Sequence, residues 1–259
     1  MFGKFVTKIF RMIKTKVSAV SYVNSYPFVY GLQQKEIARF IKLSLDNPAD
    51  CSYKLLKNQA DIGLVPVVTL LDLDFYKILS EYCIGAVNNV QTVMLYSHSS
   101  LEQIDTVYLD GQSRSSNMLC RVLSKNYWKK EIQFIFNTSD ELPDLKPKEA
   151  AILIGDRVFQ TKRGYTYKYD LSKEWNDFTG LPFVFAVWTA NKELNPDFQK
   201  RFELAIEYGI NHMDEAIETL AKEEQKDILK DYYTKNISYI FDKEKEKGMN
   251  LFLELAKNI

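Results

Sequence analysis

The sequence predicts an α/β protein built as two lobes, and three observations predict it. From residue 16 to about residue 190, apolar runs alternate with stretches of helical period, the pattern of sheets covered by helices. Two long apolar strands, 90–97 and 183–190, bracket a block of roughly ninety residues with a strand-and-helix pattern of its own. The chain has 259 residues, 46% of them hydrophobic, which is enough apolar material for two modest cores. Lobe one is expected over 16–91 plus 190–259, lobe two over 92–189, and residues 1–15 as an N-terminal extension. The sheets are expected to be mostly parallel. In such folds ligands sit beyond the carboxyl ends of strands, here in the cleft between lobes.

Each element has a local reason. KVSAVS (16–21) reads as a buried strand, and Pro27 opens a helix, a position its fixed φ suits. RFIKLSL (39–45) is a strand, PADCSYKLLKNQ (48–59) a helix with Pro48 early in it, and ADIGLVPV (60–67) a buried strand. A short helix over VVTLLDL and strands FYKILS (75–80) and VQTVMLYS (90–97) follow. The pattern then restarts with strand DTVYLD (105–110), helix 113–128, and strands IQFIF (132–136) and EAAILIG (149–155). A short helix begins at 155–162. The helix 170–182 has Asp170 as N-cap, Gly180 as its left-handed stop and Pro182 beyond. FVFAVWTA (183–190) is a strand, and from 195 the chain reads as helical to its end.

Composition narrows the function. Lysine plus arginine total 34 and aspartate plus glutamate total 34, so nothing in the charge balance points to nucleic acid or an anionic membrane. Cys51, Cys83 and Cys120 are widely spaced with no CxxC, the pattern of a reduced, cytoplasmic chain. Two isolated histidines, His98 and His212, argue against a histidine metal site. The N-terminal MFGKFVTKIFRMIKTK has no apolar run longer than two residues, so it lacks the core of a signal peptide and reads as a basic amphipathic tail. No GxGxxG, GxxxxGK[ST], HExxH or GxSxG occurs, so no cofactor or metal is expected.

Two strand-to-helix turns carry the candidate chemistry. After the first strand, Ser21, Tyr22, Asn24, Ser25 and Tyr26 crowd neutral hydrogen-bonding groups in front of a helix mouth. After the strand ending at Asp110, Gly111 turns the chain, and Ser113, Ser115 and Ser116 lie at a second mouth beside Arg114. Helix N-termini offer N–H groups and a positive dipole end to anions; ordinary capping is the competing explanation at each. Taken together, the two mouths suit a small molecule with two anionic ends. A third turn holds Gly155, Asp156 and Arg157, where Asp156 reads as a cap or an ion-pair partner. Thr92 sits in a strand crossing the cleft floor.

The segments AVSYVNSYPFVYGL, ADIGLVPVVTLL, LDGQSRSSNML, ILIGDR and DLSKEWNDFTGLPFVFAVW occur in this order over about residues 16 to 210. In this they resemble the chorismate dehydratases of the futalosine route to menaquinone. The SYxNSxP opening separates that family from its sister, the dihydroxynaphthoate synthase of the same pathway. The resemblance implies a two-lobed, type II periplasmic-binding-protein-like fold with the ligand between lobes. It implies conversion of chorismate to 3-[(1-carboxyvinyl)oxy]benzoate without a cofactor, the substrate's enolpyruvyl carboxylate serving as base. Asn24 matches the family's active-site asparagine, and Thr92 stands where the family usually has serine. Under this resemblance Asn24 and Thr92 are the catalytic candidates. Ser21, Tyr22, Ser25, Arg114, Ser115, Ser116 and Asp156 are the substrate-binding candidates. The alternative from another class is a non-catalytic binding protein for a small carboxylate solute. The oligomeric state is left open.

Overall fold

The computed structural model describes residues 14–139 and 141–259. The expected tail lies outside the described residues apart from Lys14 and Thr15, and Thr15 already begins the first strand. In chain order the elements are β1 (Thr15–Val20), α1 (Tyr26–Leu32), α2 (Lys35–Ala38), β2 (Ile41–Asp46), α3 (Pro48–Leu56), β3 (Ile62–Pro66) and β4 (Lys77–Ala86). Then come β5 (Val93–Ser97), β6 (Thr106–Asp110), α4 (Ser115–Asn126), β7 (Gln133–Asn137), β8 (Glu149–Ile154), α5 (Arg157–Gln160), β9 (Tyr167–Asp170) and α6 (Leu171–Thr179). The chain ends with β10 (Phe183–Ala190), α7 (Pro196–Asn211), α8 (Met213–Leu220), α9 (Lys226–Lys235), β11 (Ser238–Ile240) and α10 (Lys243–Ala256). Short 3-10 turns cover Val23–Ser25 and Val67–Asp72.

Two sheets carry the lobes. One has six strands in the order β11-β4-β10-β3-β1-β2, the other five in the order β7-β6-β8-β5-β9. Both are mixed, which corrects the expectation of mostly parallel sheets. Strand β1 runs parallel to β2 and β3, and β6 runs parallel to β7 and β8, as strand-helix-strand units require. Strand β10 is antiparallel to β3 and β4, and β5 is antiparallel to β8 and β9. The reason is the double crossing between lobes: a strand re-entering a sheet from the far lobe arrives from the opposite end. All of β10 pairs inside the six-stranded sheet, so residues 183–189, expected in lobe two, pair in the first sheet instead.

Three strand assignments also differ. β4 runs on to Ala86, past the expected end at 80; β9 is a half-exposed edge strand; and β11 is three residues inside a stretch read as helix. The boundaries of α6 follow from its caps. Asp170 accepts from Ser172 N at 3.0 Å and Lys173 N at 3.3 Å, and Gly180 at φ 72° ends the helix.

Strand β10 is buried along its whole length, because helices cover both of its faces. Phe183 packs edge-on to Trp175 of α6 and Phe252 of α10, while Trp188 packs edge-on to Phe28 of α1 and Phe202 of α7. Helices α1 and α7 touch backbone to backbone at Gly31 and Gly209. A Cβ on Gly209 would lie 1.8 Å from the Pro27 carbonyl oxygen, and one on Gly31 1.9 Å from that of Ala205. That contact seats the start of α1, and with it the polar turn before it. All three cysteines are buried free thiols, each pushed up to about 12 by burial.

Candidate functional site

Strand β1 leaves the sheet at Val20, and the next residues form a tight turn into α1. That turn is held by three tyrosines from the far end of the chain and one carboxylate from the other lobe. Tyr233 Oη donates to the Val23 carbonyl at 2.5 Å, and Tyr239 Oη donates to the Asn24 carbonyl at 2.9 Å. Val23 N–H donates to Asp156, 3.1 Å from Oδ1 and 3.3 Å from Oδ2. Tyr232, buried at 2% exposure, lies beside Asn24 and places its hydroxyl 2.8 Å from Thr92 Oγ1. Ser25 Oγ donates to Asn24 Oδ1 at 3.2 Å. Pro27, just inside α1, lacks the N–H that a first-turn position would leave unpaired.

The second mouth is built by α4. Ser113 Oγ accepts from Ser116 N at 3.2 Å. Ser115 Oγ accepts from Val68 N at 3.3 Å, a bond that reaches from the second sheet's lobe to the first's and leaves the Ser115 proton as a donor. Asn117 clamps the end of β6, donating to the Asp110 carbonyl at 2.8 Å and accepting from Asp110 N at 3.1 Å. The buried Asp110 carboxylate accepts from Arg157 Nη2 at 2.8 and 2.6 Å, and also from Gln112 N and Ile154 N. A charge that deep needs this full set of partners.

Between the lobes these turns enclose a crevice with about 520 Å³ of space, counted out to its open mouth. Tyr22, Asn24, Thr92, Ser113, Ser115, Ser116 and Gly155 supply its polar wall. Val20, Pro66, Ile84, Val93, Ile154 and Phe185 supply much of the apolar remainder. Among the described residues, no charged side chain lines it. The nearest charges stand one layer back. Asp156 holds the Val23 turn, and burial pushes its carboxyl up to about 6 although the Val23 N–H opposes the rise. Arg157 lies beside Tyr22, whose hydroxyl donates to Gln112 Oε1; burial raises that phenol well above its ordinary range.

The structure thus brings five of the nine sequence candidates to the crevice: Tyr22, Asn24, Thr92, Ser115 and Ser116. Ser25 and Asp156 stand behind the wall and hold Asn24 and Val23 in place. Ser21 is exposed and its N–H pairs with the Asp46 carbonyl at 2.8 Å, so it lies away from the crevice. Arg114 also lies outside it, because Nη2 pairs with Asp72 Oδ2 of the opposite lobe at 2.6 Å. Sequence reasoning missed Tyr232, Tyr233 and Tyr239. They lie in or beside an amphipathic helix some two hundred residues from the turn they hold, and nothing local separates them from ordinary core tyrosines.

Two lobes on mixed sheets, with a crevice between them, define a periplasmic-binding-protein-like fold, and solved structures agree. Protein AF1704 from Archaeoglobus fulgidus superposes with a TM-score of 0.75 at 15% identity, covering 95% of this chain and 97% of that one. The Candida albicans CA3427 gene product, described as having the generic periplasmic binding protein fold, gives 0.63 at 16% identity, covering 95% and 91%. The aliphatic sulphonate binding protein SsuA from Escherichia coli gives 0.56 at 15% identity, covering 93% and 92%. The sequence profile of a family described as menaquinone biosynthesis matches residues 15–258, and the chain belongs to that family. A relative from Thermus thermophilus named chorismate dehydratase is 25% identical over 229 residues, spanning 78% of this chain and 76% of its own.

Proposed function

We propose that the protein is a chorismate dehydratase, a hydro-lyase of the futalosine-dependent, cytoplasmic route to menaquinone. The observation that carries this reading is the uncharged crevice. Hydrogen-bonding side chains from two lobes converge on an apolar-floored space, and among the described residues no charged side chain enters it. Membership of the menaquinone biosynthesis family and the dehydratase relative support the choice of substrate.

Chorismate carries two carboxylates. One helix mouth with Asn24 and a second with Ser115 and Ser116 offer one set of neutral donors to each. In the reaction the C3–H bond breaks and its electron pair joins the ring. The C4 hydroxyl leaves with its bonding pair, and the proton leaves with it as water. The product, 3-[(1-carboxyvinyl)oxy]benzoate, is aromatic, which supplies the driving force. The substrate's enolpyruvyl carboxylate takes the C3 proton. What remains for the protein is to hold one conformer, exclude bulk water and stabilise developing charge with fixed dipoles. The test is to incubate the purified protein with chorismate and follow the aromatic ether by ultraviolet absorbance and chromatography. Loss of chorismate with equimolar gain of the ether is expected. Tight binding without turnover would make the protein a carboxylate-binding receptor and overturn the proposal.

A further inference from the structure

The Asn24 and Thr92 side chains line the crevice, but neither is fixed by the crevice. Thr92 Oγ1 meets a hydroxyl behind the wall, that of Tyr232 on α9, at 2.8 Å. Tyr232 does not itself line the crevice, and its ring is locked edge-on to Phe159 at a centroid distance of 5.4 Å. Burial raises its phenol far above the ordinary value, so the hydroxyl keeps its proton at any working pH.

Ser25 Oγ donates to Asn24 Oδ1 at 3.2 Å and holds that amide at the start of the turn. The Tyr232 and Thr92 hydroxyls share one hydrogen bond of 2.8 Å, so the Thr92 side chain is held from behind the wall it lines.

We infer that Tyr232 is a positioning residue that holds the Thr92 hydroxyl on the crevice wall, against the bound acid. This rests on the proposed dehydratase reading and deepens it. A β-branched threonine suits that task, since its χ1 is stiff and the hydroxyl stays where Tyr232 holds it.

The experiment compares wild type with Tyr232→Phe, Thr92→Val and the double variant, using chorismate as substrate and circular dichroism to follow melting. Phenylalanine keeps the ring and its packing, so Tm should change by no more than a few degrees. The ratio kcat/KM should fall at least tenfold in Tyr232→Phe, with KM raised, because the group it holds meets the bound acid. The double variant should be no slower than Thr92→Val alone, because both changes break one hydrogen bond. Thr92→Ser should keep most of the activity. Wild-type kcat/KM in Tyr232→Phe, or losses in the two single variants that multiply in the double, would overturn the inference. A wild-type protein that leaves chorismate unchanged would overturn the dehydratase reading itself, a result visible before any variant is compared.

Discussion

Asp156 offers the most informative single perturbation, because its charge sits just behind a crevice that is proposed to take an anion. Burial raises its carboxyl from 3.8 to about 6, so near neutral pH most of the free protein carries a negative charge there. A ligand carboxylate in the crevice adds a second negative charge. At a separation of roughly 6 Å and an effective dielectric of about 20, the repulsion is about 3 kcal/mol. That energy raises the Asp156 carboxyl further in the complex. The complex then binds more protons than the free protein in the range from about pH 6 upward. Affinity for the dianion must rise as pH falls through that window and level off below it. The expected gain is roughly 10- to 100-fold in KM or Kd. Asp156→Asn keeps an oxygen that accepts from Val23 N–H and removes the charge. It should bind tightly and with a flat profile from pH 6 to pH 8. The assay is a titration at three pH values for both proteins. A flat wild-type profile, or a variant that retains the wild-type slope, would refute the reasoning.

Three further outcomes are expected. Asn24→Ala should abolish turnover of chorismate while Tm stays close to wild type, since the side chain faces the crevice; activity near the wild-type level would sink its catalytic assignment. Gly155→Ala forces a Cβ to within 2.8 Å of the Tyr22 ring at a residue with φ of 67°. The left-handed backbone alone costs about 1–2 kcal/mol, so Tm should fall by roughly 3–8 °C and KM should rise as Tyr22 is displaced. A neutral result would show that the Tyr22 wall is soft. Gly209→Ala drives a Cβ to within 1.8 Å of the Pro27 carbonyl oxygen and must part α1 from α7. Overpacking of this kind costs about 1–3 kcal/mol or more, which calorimetry reads as a comparable fall in Tm, with a drop in activity because α1 carries the Asn24 turn.

Much of this architecture was legible in the residues. Asp170 and Gly180 mark the ends of α6 because a cap and a left-handed stop are local requirements, and local requirements are written locally. The same holds for Pro27 and Pro48, each in the first turn of its helix. The two serine-rich and asparagine-rich turns could be picked out as polar helix mouths for the same reason, and both line the crevice. What the sequence does not display is pairing. Strand β10 has the continuous apolar character of any fully buried strand, and nothing in FVFAVWTA says which sheet receives it. Arg114, next to a helix mouth, looks like an anion ligand until Asp72, forty-two residues earlier, is brought beside it. Tyr232, Tyr233 and Tyr239 are invisible as site residues because their partners are more than one hundred residues distant.

The absence of charged side chains from the crevice wall, among the described residues, has a chemical consequence under the proposed reaction. A carboxylate held by a guanidinium or ammonium has its pKa lowered by roughly 1–3 units, which weakens it as a base by the same factor. If the substrate's own carboxylate must take the C3 proton, an arginine in the wall would tighten binding while slowing the proton transfer it serves. Neutral donors avoid that conflict. They orient the carboxylate through directed bonds but leave more of its basicity intact. The fold keeps its cations out of the way by pairing them: Arg157 is committed to Asp110, and Arg114 to Asp72 across the lobes. Asp156, the charge that remains near the turn, is negative and half-tempered by its own burial. A second negative charge near the ligand weakens binding, yet it also raises the basicity of any carboxylate beside it. The arrangement therefore gives up affinity for reactivity, which is what a catalyst requires and a receptor does not.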